Sequence, residues 1–154
     1  MDELCAGDIM TRAVITARPD TKLREIADLL VRHRISGVPV VDEENRVVGI
    51  VSETDLIDEE KRHAHIPRTA LYGVMPVPDE VWVAAFEEGD QLTAAQLMTH
   101  RVVTLPETTS AREVAEEMLS RHVNRIPITR DGRLVGIVTR ADVLRAVAAH
   151  WRRG

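Results

Sequence analysis

A duplicated motif constrains the fold of this chain more than any other feature. The stretch GIVSETD at 49–55 recurs as GIVTRAD at 136–142, in a chain of only 154 residues. A Met-Thr pair precedes each of these two motifs, at 10–11 and at 98–99. Such internal similarity indicates a repeated structural unit. Because a copy of roughly 50 residues buries too little surface to be stable alone, the sequence predicts two units that pack together sheet to sheet.

The predicted elements follow one another in the same order in both copies. A short strand and a proline-containing loop are predicted in ITARPDT at 15–21 and in VTLPETT at 103–109. Apolar residues at i, i+3, i+4 and i+7 then predict a helix in each copy. Two strands around a polar turn and a second helix complete a β-α-β-β-α unit of the α/β class. The helical stripes are Leu23, Ile26, Ala27 and Leu30, and Ala111, Val114, Ala115 and Met118; the turns are Asp42 to Asn45 and Arg130 to Gly132; the second helices begin in SETDLI and TRADVLRAVAAH.

A proline lies in the first strand of each predicted hairpin, Pro39 in one copy and Pro127 in the other. Because proline has no N–H to donate to a ladder, we expect both strands to lie at a sheet edge or to begin beside a cleft.

The repeat divides the chain into three segments. Residues 1–58 form the first copy, residues 59–93 an insert without a counterpart, and residues 94–154 the second copy with a C-terminal helix. The insert contains Trp82 and Phe86, and we expect it to be partly helical and packed against the paired core.

Composition and charge exclude several classes of protein. A net charge of -5, from 20 basic and 25 acidic residues, argues against a nucleic-acid-binding surface. The single Cys5 forms neither an internal disulfide nor a thiolate metal site. No stretch approaches the roughly 20 apolar residues that cross a bilayer, and the acidic N-terminus lacks the apolar run of a signal peptide. We therefore expect a cytoplasmic protein that does not contact a membrane.

The order of short motifs resembles a known family. DIMT, SGVPVVD and GIVSETDL, repeated as QLMT, NRIPI and GIVTRADVL, resemble the tandem cystathionine β-synthase (CBS) domains that pair into a Bateman module. The resemblance covers about residues 6–57 and 94–148. It implies a β-α-β-β-α unit, a pseudo-twofold pair of units, often a further dimer of pairs, and clefts that bind adenosine nucleotides or related ligands in many members.

A hydroxyl and a carboxylate stand three residues apart after the last strand of each copy, as Ser52 with Asp55 and as Thr139 with Asp142. This spacing places them in the first turn of the following helix, where a carboxylate accepts charge-assisted hydrogen bonds from a ribose diol and the helix start attracts a phosphate. The same spacing is close to a capping box, in which both side chains only satisfy backbone N–H groups. The two roles do not exclude each other.

Two arginines distinguish the copies. Arg125 stands where the first copy has Gly37, and Arg140 stands where it has Glu53. A guanidinium pairs well with phosphate oxygens, although exposed arginines are common on any surface. The resemblance implies two clefts, each shared across the pair. One cleft combines Ser52 and Asp55 with Thr104, Asn124, Arg125, Ile126 and Pro127, and the other combines Thr139, Arg140 and Asp142 with Thr16, Ser36, Gly37, Val38 and Pro39. The apolar residues Ile15, Val38, Val103 and Ile126 either contact an adenine or form part of the core.

No grouping of residues predicts catalysis or a metal site. His63 and His65 alone fall short of a competent ligand set, and the sequence has no P-loop and no GxGxxG. We therefore expect no enzyme and no cofactor. The expected function is regulatory: binding of AMP, ADP, ATP or S-adenosylmethionine, with the response passed to a second copy in a homodimer or to an unidentified regulated protein. The alternative is a ligand-free structural module that only dimerises or binds other proteins.

Overall fold

The structure is a computed structural model in which residues 4–57, 80, 87 and 91–154 are described. Most of the insert, with Trp82, Phe86, His63 and His65, lies outside the described residues, so the expectations for it stay predictions.

The α/β fold class is confirmed, and in each copy a helix, two strands and a second helix follow one another as the repeat predicts. The first copy contains α1 (Ala6–Ile9), α2 (Leu23–His33), β1 (Gly37–Val41), β2 (Val47–Ser52) and α3 (Glu53–Ile57). The second contains α4 (Ala94–Leu97), β3 (Leu105–Pro106), α5 (Ala111–Arg121), β4 (Arg125–Arg130), β5 (Arg133–Thr139) and α6 (Arg140–Arg153). Both predicted apolar stripes lie on helices, with Leu23, Ile26 and Leu30 buried on α2 and Ala111, Val114 and Met118 buried on α5.

The chain folds into two compact units that do not coincide with the two sequence copies. One unit, called here the β3–β5 unit, consists of residues 1–15, 41–47 and 101–154. The other, the β1–β2 unit, consists of residues 16–40 and 48–100. The segment with the Met-Thr pair at the start of each copy therefore belongs to the unit that holds most of the other copy.

A three-stranded sheet in the order β3-β4-β5 forms the β3–β5 unit. β3 is parallel to β4, and β4 is antiparallel to β5. The tight turn between β4 and β5 is made by Asp131 and Gly132, with φ of 53° and 80°. Positive φ at both turn residues matches the right-handed twist of a two-residue hairpin.

Pro127 lies on β4, the central strand of this sheet, so the prediction of an edge position was wrong for it. The reason lies in the hydrogen-bond pattern. Ile137, which is opposite Pro127, exchanges both of its backbone hydrogen bonds with Thr11, at 2.8 and 3.0 Å. The nitrogen of Pro127 therefore faces the β3 side, where pairing begins only at Ile128. No ladder hydrogen bond is lost at the proline.

The core of the β3–β5 unit lies between α5, α1 and the sheet. Its fully or largely buried members are Ala6, Met10, Val114, Met118, Ile126, Ile128 and Val138. Met10 packs directly on Gly136, since a Cβ built on that glycine would lie 2.3 Å from the Met10 sulfur. The glycine of GIVTRAD is therefore required by the methionine of DIMT.

The β1–β2 unit repeats this packing with the other pair of motifs. Met98 covers Gly49 with the same 2.3 Å approach, and Ile50 and Thr99 exchange backbone hydrogen bonds of 3.1 and 2.9 Å. The predicted strand in ITARPDT is reduced to one parallel bridge between Ala17 and Val40. Across the described part of the chain, no helix combines the length and the apolar character that a membrane span needs.

Candidate functional site

The start of α6 forms a capping box. Thr139, the last residue of β5, accepts a hydrogen bond on its Oγ1 from the backbone N–H of Asp142 at 3.4 Å. In return, Oδ2 of Asp142 accepts from the backbone N–H and from the hydroxyl of Thr139, at 2.9 and 3.1 Å. The capping alternative that the sequence allowed is therefore realised here, and it holds the carboxylate in one orientation.

The start of α3 repeats the two hydrogen bonds that the carboxylate accepts. Oδ2 of Asp55 accepts from the backbone N–H of Ser52 at 2.8 Å and from its hydroxyl at 3.2 Å. Asp55 and Asp142 are the buried charged residues among those described, with 7% and 3% of their surface exposed. A buried carboxylate is stable only with hydrogen-bond donors around it, and each helix start supplies them.

Two further donors reach Asp142, and the sequence reasoning missed both. The hydroxyl of Thr11 donates to Oδ1 at 3.2 Å, and Nη2 of Arg145 also donates to Oδ1. A signal for Thr11 was present, because the Met-Thr pair is repeated in both copies. Arg145 follows Asp142 by three positions, which places the two side chains on one face of α6.

The helix starts are tied to the hairpins that precede them. The backbone N–H of Arg140 donates to the carbonyl of Asn124 at 3.2 Å, and that of Glu53 donates to the carbonyl of Ser36 at 2.9 Å. The first amide of each helix is therefore already bonded within the protein, and fewer N–H groups remain for a phosphate than the sequence reasoning assumed.

The predicted site residues of each copy gather within one unit. In the β3–β5 unit, Arg125 lies opposite Thr139 on the paired strands, and Asn124 immediately precedes β4. Thr104 is exposed and immediately precedes β3, which pairs with β4 from Ile128 onward. In the β1–β2 unit, Thr16 is half-buried and precedes Ala17, whose N–H donates to the carbonyl of Pro39 at 3.0 Å. The combination of residues from both copies in one cleft stays a prediction.

Most of the apolar candidates have core positions. Val38 and Ile126 are completely buried, and Ile126 is a member of the β3–β5 core. Gly37, Pro39 and Pro127 are also buried, whereas Ile15 and Val103 are half-buried. The two half-buried residues retain surface that a base could cover, and contact of any of them with an adenine stays a prediction.

The charge next to the two carboxylates differs in sign. Arg140 is the first residue of α6 and Glu53 is the first residue of α3, and both are exposed. Within the described part of the chain, the Arg140 guanidinium has no carboxylate partner. The start of α6 therefore offers a cation to an anionic ligand, and the start of α3 offers an anion.

Hydrogen bonds lower the pKa of two carboxyl groups, Glu107 and Asp8. The paired hydrogen bonds from Arg130 to Glu107, at 2.6 and 2.8 Å, lower the pKa of the Glu107 carboxyl. Hydrogen bonds from the backbone and the thiol of Cys5 lower the pKa of Asp8. Among the described residues, no group of three or more histidine, cysteine, aspartate or glutamate side chains lies close enough to hold a metal ion.

Comparison with known sequences identifies a family whose members have this duplicated fold. A sequence model described as the CBS domain matches residues 6–62 and again residues 94–149. The chain is 32% identical over 158 residues to "CBS domain-containing protein CBSX1, chloroplastic" of Arabidopsis thaliana, an alignment that covers 96% of this chain and 66% of that protein. The chain thus spans slightly less than two thirds of the length of this relative.

Two solved structures with bound ligands are similar to this chain. A crystal structure of CBSX2 in complex with AMP has a TM-score of 0.72 at 26% identity, and the match covers 96% of this chain and 98% of that one. The CBS domain pair of protein MJ0100, in complex with 5′-methylthioadenosine and S-adenosyl-L-methionine, has a TM-score of 0.68 at 26% identity. That match covers 95% of this chain and 97% of the other. All three ligands contain an adenosine group.

Proposed function

The chain belongs to the CBS domain family, and we propose that it is a regulatory module that binds an adenosine-containing ligand and responds by a change in shape or in contacts with a partner. AMP, ADP or ATP is the proposed ligand class, with S-adenosylmethionine as the second choice. In this proposal the chain regulates and does not catalyse. The similarity to solved structures with AMP and with S-adenosyl-L-methionine supports the adenosine group.

One observation carries the proposal for the start of α6. Asp142 is almost fully buried and rigidly oriented, and it stands two residues after the exposed cation Arg140. A ribose diol donates two hydrogen bonds to one carboxylate, and a phosphate joined to that ribose then pairs with a guanidinium. The same helix therefore provides groups for both parts of a nucleotide.

The sign of the neighbouring charge supports a phosphorylated ligand at α6. Arg140 attracts phosphate oxygens, whereas Glu53 at the matching position of α3 repels them. We therefore propose that the Asp142 position binds a nucleotide, and that a ligand at Asp55, where present, carries less negative charge.

A thermal-melt series tests the proposal. Ligand at about 100 times its dissociation constant stabilises the folded state by about 2.7 kcal/mol. We expect AMP or ATP to raise the melting temperature of the wild type and to lose this effect in Asp142→Ala. The same series on Asp55→Ala reports on the other copy, and loss of the shift in only one variant identifies the working position.

Removal of a capping residue lowers stability by itself, so the series needs a matched control. Ser110 caps α5, and its hydroxyl accepts from the N–H of Glu113 at 3.1 Å. Ser110→Ala removes a cap worth about 1 kcal/mol at a residue that is not among the predicted site residues. This variant should melt earlier than the wild type and still show the full nucleotide shift. A wild type whose melting temperature does not respond to AMP, ATP or S-adenosylmethionine contradicts the proposal.

A ligand-free dimerisation module is the second candidate, and the hydrogen bonds at the two helix starts favour it. Both carboxylates already accept hydrogen bonds from their own helix starts, which is a sufficient structural reason for their presence. Unchanged melting curves with every ligand, together with an intact dimer, would support this candidate.

We also propose that the module forms a homodimer. Large apolar side chains are exposed at matching positions of the two copies: Val31 on α2 and Leu119 on α5, and Ile57 on α3 and Leu144 on α6. Between 57% and 79% of each residue is exposed. A second copy of the chain exposes the same apolar residues, so the same surface of both copies can form an isologous interface. A cytoplasmic location is part of the proposal, although the relative CBSX1 is chloroplastic.

A further inference from the structure

Arg145 forms the most exposed part of the hydrogen-bond network around Asp142. Its guanidinium pairs with Oδ1 of Asp142, and 68% of its side chain is exposed, compared with 3% for its partner. The pair therefore joins a fixed, buried carboxylate to a long side chain that lies mostly in solvent.

Donors already occupy both oxygens of the Asp142 carboxylate. Oδ2 accepts from the backbone and the hydroxyl of Thr139, and Oδ1 accepts from Thr11 and Arg145. A carboxylate offers about four lone-pair positions. A ribose diol therefore binds to it only if at least one of these donors leaves.

The donors differ in how easily they leave. Thr139 is held by the capping box, and the backbone of Thr11 is bonded to Ile137 in both directions at 2.8 and 3.0 Å. Arg145 is attached by its side chain alone, and 68% of that side chain lies in solvent, where water competes for the guanidinium. Arg145 therefore moves away without any change in the backbone, and it is the charged donor of this set.

We propose that Arg145 occupies the place of the ribose on Asp142 in the ligand-free protein, and that it swings to the anionic group of the ligand when a nucleotide binds. This inference rests on the proposed function and adds a selectivity residue to it. A neutral nucleoside displaces Arg145 and gains nothing in return. A phosphorylated nucleoside displaces it and then pairs with the released guanidinium.

The sequence does not repeat this arginine at the same spacing in the first copy. The residue three positions after Asp55 in the sequence is Asp58, which lies outside the described residues. An ionised aspartate has no proton to donate and cannot compete with a diol for a carboxylate. The exchange is therefore proposed for Asp142, where Arg145 supplies the donor.

Calorimetric titration of the full chain with adenosine and with AMP tests the inference. Arg145→Gln removes the competitor, so adenosine should bind about two- to fivefold more tightly. AMP should bind about two- to fivefold more weakly, because the variant also loses a charge-assisted hydrogen bond to phosphate. The preference for AMP over adenosine should thus fall about tenfold. Arg152→Gln removes the same charge from an exposed position on the same helix and should leave this preference unchanged.

A measurement on the wild type alone covers the case in which Arg145→Gln does not fold. High salt screens the exposed ion pair. Adenosine should therefore bind the wild type more tightly as salt increases, whereas AMP should bind more weakly. Two results would overturn the inference and leave the proposed function intact. One is an equal change in the affinities for adenosine and AMP in Arg145→Gln. The other is the same preference for AMP over adenosine in Arg145→Gln and Arg152→Gln. A wild type that binds neither ligand overturns both.

Discussion

Replacement of Gly136 by alanine should destabilise the β3–β5 unit through a single contact. An ideal Cβ at this position lies 2.3 Å from the sulfur of Met10, 2.7 Å from its Cγ and 3.1 Å from its Cβ. Ordinary carbon contacts are about 3.5 to 4.0 Å, so the sulfur must move by more than about 1 Å and the Cγ by about 0.8 Å or more. The Met10 Cβ has little freedom, because the next residue, Thr11, is hydrogen-bonded to Ile137.

Overpacking of this kind lowers the free energy of unfolding by about 1 to 3 kcal/mol. Alanine also restricts the unfolded chain more than glycine does, which raises the free energy of unfolding by about 0.4 to 1 kcal/mol, so the overpacking cost is the larger effect. For a chain of this length, each kcal/mol lowers the melting temperature by about 2 to 4 °C. Urea denaturation of Gly136→Ala should therefore show a net loss of about 1 to 2 kcal/mol. Gly49→Ala should behave alike, because the distances to Met98 are the same.

A double-mutant cycle identifies the contact. Met10→Ala removes the clashing atoms and costs about 2 to 5 kcal/mol by itself, since Met10 is buried in the core. In the double variant the two costs should not add, and the coupling should be about 1 kcal/mol or more. Gly7→Ala is the control, because its Cβ would lie 3.4 Å from the nearest atom. Additive costs, or a Gly136→Ala variant as stable as Gly7→Ala, would refute the packing of Met10 on β5.

Three further predictions concern single contacts. The pKa of Glu107 is lowered from its ordinary value of 4.5 by Arg130, so the ionised carboxyl favours the folded state. Urea denaturation across pH should show that the wild type is more stable than Glu107→Gln. This difference in the free energy of unfolding should have its full size above about pH 4.5 and should disappear as the pH falls through the lowered pKa. His122→Gly should raise the free energy of unfolding by about 0.5 to 1 kcal/mol, because His122 ends α5 with a φ of 54°, and Ser120→Gly within α5 should lower it. Leu119→Glu should weaken the proposed homodimer in sedimentation velocity, whereas Ser120→Ala, on the same helix, should not.

The elements that depend on local pattern could be predicted from the sequence. The stripes of α2 and α5 follow from apolar spacing, and the Asp131-Gly132 turn follows from the conformational needs of a two-residue hairpin. The capping box of α6 was likewise visible as a hydroxyl and an acid three positions apart. In each case the interacting residues are close in sequence.

The contacts that depend on distant segments could not be predicted. Alignment of the two copies at their Met-Thr pairs suggests that each pair begins its own unit, but Thr11 bridges Ile137 and Thr99 bridges Ile50. A short segment carries no pattern that specifies which strand it joins, because tertiary packing makes that choice. The sequence therefore did not predict Thr11 as a hydrogen-bond partner of Asp142. It did not predict the central position of Pro127 either, because strand order also depends on tertiary packing.

Duplication explains why the fold is a poor guide to ligand preference in this chain. Both helix starts hold a buried aspartate by equivalent hydrogen bonds, so selection for stability alone would retain Asp55 and Asp142 whether or not a ligand binds. What differs between them is the charge within one helical turn, an acid at Glu53 and cations at Arg140 and Arg145. Exposed charges of this kind contribute little to stability. Discrimination between ligands therefore has to be sought in these arginines, whose replacement changes binding without the loss of a helix cap.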